Sequence, residues 1–389
     1  MPRPILTSLL FGLAAGMVTA VTLWLMHLLE QLLWQGEASA LRVAVTIMAG
    51  AVLIAAMRIR LPHETLESQL DDSRDGRKTG MAKAGMLAAL GIVSVGFGGA
   101  IGPEAGILAV VAELSALISA RIARDVQEAR LIGQIGAAGA LGGLYGSPPG
   151  GASYANDKPD APWPLLVLAA LAGLGGMMLA GLVLPEGPGL RVALPPAPRF
   201  EAMHMIPAIL AGLAGSLAGT VFVLGAAGFA RLMAALSRDV RVQVLVGSAI
   251  FALLAAIFPD LRFNGQHEMA NLAEAGVTLG VAYLAGLAVL KALALALCLS
   301  AHWLGGPIMP LALAGSAAGI ALAAVVPGVD VGVAAAAGMA ACCTVGMNRP
   351  AVVLLVLIFM ASGTALMPIL VGVMAGWLIA QTLPSERVH

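Results

Sequence analysis

Gly96-Phe97-Gly98-Gly99-Ala100-Ile101-Gly102-Pro103-Glu104-Ala105-Gly106 is the stretch on which the fold of this chain turns. Apolar residues flank it from Met81 to Val111, and one carboxylate, Glu104, sits in its middle. Glycines and Pro103 come before the carboxylate, and helix-forming residues follow it. That order predicts the end of one helix, a tight break and the start of another. Pro103 suits the first helical position, where an N–H would have no intrahelical partner. The new helix points free N–H groups and a positive dipole end into apolar surroundings. Such an end attracts an anion. A carboxylate is the anion already at hand, and protonation lets it leave. Dipole compensation alone would be served as well by a surface loop, whereas an intramembrane carboxylate is costly and usually functional.

The rest of the 389 residues is as apolar as this stretch. The chain is 60% hydrophobic and 11% charged, where a soluble protein carries about 25% charged residues. It therefore reads as an all-α, multi-pass protein of the cell (inner) membrane, with the lipid bilayer as solvent. The first apolar run, Ile5 to Trp34, is too long for a signal peptide's apolar core. The 21 basic and 21 acidic residues cancel, which leaves no case for a nucleic-acid partner. Gly is abundant at 48 residues, and small residues let membrane helices approach closely. Cys298, Cys342 and Cys343 make no metal pattern and read as small core residues.

Several apolar segments fall short of the roughly 20 residues of a full span. They are 103–120, 131–145, 332–346 and 349–362. Broken helices in a membrane are tolerated where they line a cavity inside protein, which argues for a transport pathway. A Pro-rich linker then divides the chain into a first membrane repeat, 1–190, the linker 191–204, and a second repeat, 205–389. Gly12-Leu13-Ala14-Ala15-Gly16 recurs as Gly212-Leu213-Ala214-Gly215-Ser216. Gly98-Gly99-Ala100-Ile101-Gly102-Pro103 recurs as Gly305-Gly306-Pro307-Ile308-Met309-Pro310, and Ser147-Pro148 as Arg349-Pro350. The common offset of about 200 residues makes these a repeat. The loop 58–83 is basic while its counterpart 258–276 carries Arg262 as its single arginine or lysine. Basic loops stay cytoplasmic, so equivalent loops face opposite sides and the repeat is inverted.

Broken helices, inverted halves and a Gly-x-Glu-x-Gly break together resemble the CLC family of chloride channels and proton/chloride antiporters, in a divergent bacterial form. Gly102-Pro103-Glu104-Ala105-Gly106 is similar to the family's Gly-Arg-Glu-Gly-Pro motif, and Gly305-Gly306-Pro307-Ile308-Met309-Pro310 to its Gly-Gly-x-Phe-x-Pro motif. The resemblance implies a homodimer with one pathway per subunit for chloride or a similar small anion. It makes Glu104 the gate, and it places Gly102, Ala105, Gly106, Gly306, Ile308 and Met309 around the anion. The family's inner-site Gly-Ser-Gly-Ile-Pro aligns with Arg58-Ile59-Arg60-Leu61-Pro62, so Ile59 takes the serine's place, between two arginines. Pro307 lacks an N–H that would otherwise face the anion. No tyrosine follows the last segment to supply the family's hydroxyl. The chain ends just past that segment, so no cytoplasmic regulatory domain is expected, and no cofactor.

Arg58, Arg60 and Lys291 are candidate charges of the anion path. The alternatives are a cytoplasmic anchor for the two arginines and a helix-end carbonyl or Glu113 as partner for Lys291. Glu113 and Asp157 are candidate proton carriers. Asp157 follows a stretch, Ser147-Pro148-Pro149-Gly150-Gly151, that reads as a poor helix. A broken helix there and a missing hydroxyl predict weak or absent proton coupling, with a proton-coupled antiporter of chloride or fluoride as the alternative. His63 and His267, each followed by Glu, fall on opposite faces and predict no metal site. A secondary transporter of another substrate would want carboxylates among carbonyl ends rather than at a helix start. No Ser/His or His-x-x-x-His pair on facing helices suggests an enzyme.

Overall fold

The computed structural model describes residues 3–36, 39–61, 81–156, 162–184, 192–361 and 365–383. Among the described residues every regular element is a helix, and 192–201 run without one. The first half gives α1 (Arg3–Leu33), α2 (Ala40–Arg58), α3 (Met81–Gly96), α4 (Glu104–Ile122), α5 (Val126–Leu144), α6 (Pro148–Ala155) and α7 (Trp163–Gly181). The second gives α8 (Met205–Leu236), α9 (Val240–Ile257), α10 (Gln266–Leu279), α11 (Val281–Ser300), α12 (Ile308–Val325), α13 (Val331–Met347), α14 (Pro350–Met360) and α15 (Leu366–Ala380). Eight of the described helices are long and apolar enough to cross a membrane.

Small residues set the packing. A side chain at Gly12 or Gly16 of α1 would run into the backbone of Ala169 or Gly173 on α7. The equal spacing of the two contacts makes α1 and α7 parallel. The echo of that motif behaves alike, with Gly212 of α8 lying against Gly372 and Ala375 of α15. The α1–α7 pair thus recurs as α8–α15. Three contacts join elements to their own counterparts: α2 to α9, α6 to α14, and Gly102 to Gly306. A contact between equivalents lies on the axis that relates the two halves. α13 is apolar on all sides and buried from Gly332 to Val345, so it forms the middle of the second half.

Two expected breaks are absent. The segment expected at 131–145 begins earlier, at Val126, because Asp125 caps it by accepting from the Glu128 N–H at 2.7 Å. Its first turn is polar and so escapes an apolar scan, yet α4 and α5 are each 19 residues long. The Pro/Gly stretch after Ser147 also forms a helix, α6. Its prolines occupy the first two helical positions, where no N–H is needed. Ser147 Oγ accepts from the Gly150 N–H at 3.0 Å and caps the start. α13 and α14 do remain short, at 17 and 11 residues.

Candidate functional site

The two glycine breaks meet on the axis. The Gly102 N–H donates to the Gly306 carbonyl at 2.7 Å, and the Gly306 N–H to the Gly102 carbonyl at 3.0 Å. These bonds satisfy backbone groups that no water reaches. A proline follows each glycine, and each proline caps a helix that starts one residue later, α4 at Glu104 and α12 at Ile308. Pro103 is thus the cap rather than the first helical residue, although its backbone is already helical at φ −77° and ψ −7°. Two positive helix ends stand together in the interior.

Glu104 lies between them and is fully buried. Its carboxylate rests on both glycines, since a Cβ on Gly102 or on Gly306 would overlap Oε2. Oε1 accepts a hydrogen bond from the Tyr145 hydroxyl at 3.2 Å. Oε2 has no hydrogen-bond partner among the described residues. A buried polar oxygen without a partner costs about 1–3 kcal/mol. The fold keeps that cost at its centre, where an apolar side chain would remove it. Tyr145 gets there because α5 ends under Glu104 and Gly146, at φ +60°, turns the chain into α6. A fully buried tyrosine needs a partner for its O–H, and Glu104 is that partner.

The family model "Voltage gated chloride channel" matches residues 66–381, most of the chain. The chain belongs to that family. No curated protein matches it by sequence. Among solved structures it resembles a CLC-type fluoride/proton antiporter, with TM-score 0.81 and 18% identity over 99% of this chain and 97% of the other. It also resembles a slow cyanobacterial Cl⁻/H⁺ antiporter, with TM-score 0.78 and 16% identity over 100% and 96%. A eukaryotic CLC transporter follows at TM-score 0.72 and 20% identity over 98% of this chain and 72% of the other. At these identities the likeness is one of fold. The CLC fold and a multi-pass membrane protein follow directly.

Of the residues read from the sequence, Gly102, Glu104 and Gly306 are in contact. Ala105 and Gly106 are buried in the first turn of α4, where Gly106 packs against Gly91 of α3. Ile308 and Met309 are buried in the first turn of α12, and the Ile308 carbonyl accepts from Cys343 Sγ at 3.6 Å. Glu113 is buried farther along α4, nine residues or about 13 Å from Glu104. Asp157 and His63 lie outside the described residues. His267 lines a cavity of about 20 Å³, room for roughly one water, together with His27, Glu30, Asn264 and Pro103. That cavity reaches the residue before Glu104 from the side of α1's C-terminal end. No group of metal-ligating residues forms among the described residues.

Two of the three candidate cations, Arg58 and Lys291, are turned to backbone carbonyls. Arg58 is buried; Nε and Nη2 donate to the His302 carbonyl at 2.8 and 2.5 Å, and Nη1 to Leu61 at 3.2 Å. Ile59 is 63% exposed and Arg60 is exposed too, both just past the end of α2. Lys291 is fully buried, and its Nζ donates to the carbonyls of Asp260, Leu261, Arg262 and Phe263 at 2.9–3.2 Å. It clamps the turn that leads from α9 to α10, the helix-end role weighed for it above. Lys291→Met is expected to destabilise the protein by about 2–4 kcal/mol, since four buried carbonyls lose a charged donor. Thermal unfolding in detergent checks this, with anion flux per folded molecule expected to hold. Reduced flux at unchanged stability would return Lys291 to the anion path.

Tyr145 is the residue in contact with Glu104 that the sequence reading missed. The resemblance places the family's hydroxyl after the last apolar segment, where this chain has no tyrosine. A different hydroxyl, at the end of α5, meets Glu104. Tyr145 is one of three tyrosines and interrupts the Gly/Ala run Gly142-Gly143-Leu144-Tyr145-Gly146, beside a predicted break. That position was the available signal.

Proposed function

We propose that the chain carries chloride or a similar small anion across the membrane through a pathway gated by Glu104. The observation that carries this reading is the buried carboxylate between two paired helix starts, the place that suits an anion. Helix-end N–H groups replace part of an ion's hydration without a full charge to trap it. Carboxylate and anion compete for those ends, and a proton on Glu104 decides the competition.

The expectation of weak coupling rested on a broken helix after Ser147 and on a missing hydroxyl. α6 is continuous, and Tyr145 offers a hydroxyl to the gate. The first premise is gone; the second stands, since no tyrosine follows the last segment and Tyr145 meets the carboxylate itself. With α6 unbroken and a hydroxyl on the carboxylate, we favour exchange of the anion for protons. Solved relatives of the same fold include a fluoride/proton and a Cl⁻/H⁺ antiporter, which supports either anion as cargo. In this reading the protein is a homodimer of the cell's inner membrane with loop 58–83 on the cytoplasmic face, and it needs no cofactor. An imposed chloride or fluoride gradient across liposomes is expected to drive protons uphill, read as external pH. Anion flux without proton movement overturns the coupling. Absence of flux for both anions overturns the transport reading.

A further inference from the structure

We propose that Tyr154 and Arg349 are positioning residues for the gate, acting through Tyr145. The inference rests on the gating role of Glu104 and adds the device that aims the hydroxyl at it. The Tyr145 and Tyr154 rings stack with centroids 6.4 Å apart and planes inclined at 25°. The Arg349 guanidinium carbon sits 5.8 Å from the Tyr154 ring centroid, on its face. Tyr145 and Tyr154 are both buried. A cation over a buried aromatic face is attracted by the ring quadrupole, and the stacked pair adds its own preference in orientation.

The three residues come from three elements. Tyr145 ends α5, Tyr154 belongs to α6, and Arg349 caps α14. α6 and α14 are repeat counterparts that pack together on the axis. Ser147 Oγ joins them further by donating to the Leu355 carbonyl at 2.8 Å. A shift of α14 against α6 therefore moves Arg349 over Tyr154, tilts the stacked ring of Tyr145 and changes the reach of its hydroxyl to Glu104. The titratable groups around Tyr145 are Glu104 on α4, Tyr154 on α6 and Cys343 on α13. Tyr154 lies near the end of α6 that leads to the start of α7. α7 runs parallel to α1, so the rings descend toward the side of α1's N-terminus. The cavity at Pro103 opens on the other side. The aromatic device thus couples the gate to the face opposite that cavity.

The test is anion flux against pH for the full chain in liposomes. Tyr145→Phe removes the donor that favours the ionised carboxylate. The pH of half-maximal flux is expected to rise by about one unit. Tyr154→Phe keeps the ring and is expected to leave the profile in place. Tyr154→Leu removes the stack and is expected to shift the profile upward as Tyr145→Phe does. The double variant is expected to shift no further than either single one, because both act on one bond. Arg349→Met gives a second reading that leaves the ring pair intact, with a smaller upward shift expected. If Tyr154→Leu and Arg349→Met both leave the profile unchanged, or if their shifts add to that of Tyr145→Phe, the positioning role is wrong. Should Glu104→Gln leave the profile unchanged as well, the gating reading fails first; should it flatten the profile, only this inference fails.

Discussion

Glu104→Gln is expected to make anion flux independent of pH and to stop proton movement. Glutamine has the size of glutamate and is neutral at every pH, so it stands for the protonated gate. Its amide oxygen keeps an acceptor for the Tyr145 hydroxyl, and the fold loses only a buried charge. In the proposed mechanism that charge competes with the transported anion at the starts of α4 and α12. A charge at a partly buried helix end is worth up to about 2 kcal/mol, or roughly 30-fold in occupancy. Flux at neutral pH is therefore expected to rise at least tenfold, to the level reached in acid. Proton movement driven by an anion gradient is expected to vanish, since glutamine carries no exchangeable acid. Efflux from liposomes, measured across a pH series with external pH recorded, checks both. A pH profile that survives the substitution places the titrating group elsewhere, with Glu113 the next residue to change.

The two glycine breaks and the carboxylate between them were legible in the sequence because their chemistry is local. Gly102-Pro103-Glu104 and Gly306-Pro307-Ile308 carry their own punctuation: glycine where the backbone must come close, proline where a helix can start. A shared offset then joined two distant breaks, and the Gly102–Gly306 bridge is that offset made physical. Residues whose role depends on a tertiary partner were not legible. Arg58 ends an apolar helix and could serve a bilayer surface, an anion or a carbonyl. Only the fold brings the His302 carbonyl to it from 244 positions away. Lys291 likewise meets carbonyls about 30 residues upstream. Tyr145 was hidden for a related reason, since an aromatic at a helix end reads as core until the carboxylate opposite it is known. The break expected after Ser147 failed for another cause. Proline and glycine lower helix propensity in a helix interior, whereas here the prolines stand at the start and Gly151 packs against the backbone of α5 at Gly142.

Gly306→Ala is expected to hold the gate open with Glu104 still in place. A Cβ at this position would meet the carboxylate of Glu104, overlapping Oε2 and its carbon more closely than real Cβ contacts allow. One side must move. Gly306 is tied to Gly102 by two backbone hydrogen bonds at the buried crossing of the two halves, so the backbone has little freedom to yield. The Glu104 side chain has one hydrogen bond to lose, to Tyr145, and rotatable bonds to turn about. The strain therefore falls on the carboxylate. Forcing an extra methyl into a packed site costs typically about 1–3 kcal/mol, which is roughly five- to hundredfold in the population of the resting gate. Flux at neutral pH is expected to rise by a factor in that range, and its pH dependence to weaken. Adding Glu104→Gln to Gly306→Ala is expected to change little more, because the first substitution has already displaced the group that the second removes. The same argument applies to Gly102→Ala, whose Cβ meets the same oxygen from the other side. Lower flux at every pH would mean that the added methyl blocks the anion's own route, and Gly306 would then line the pathway beyond the gate. Unchanged flux and unchanged pH dependence in folded protein would mean that the working carboxylate does not rest on this glycine, and the gate would have to close somewhere else along α4.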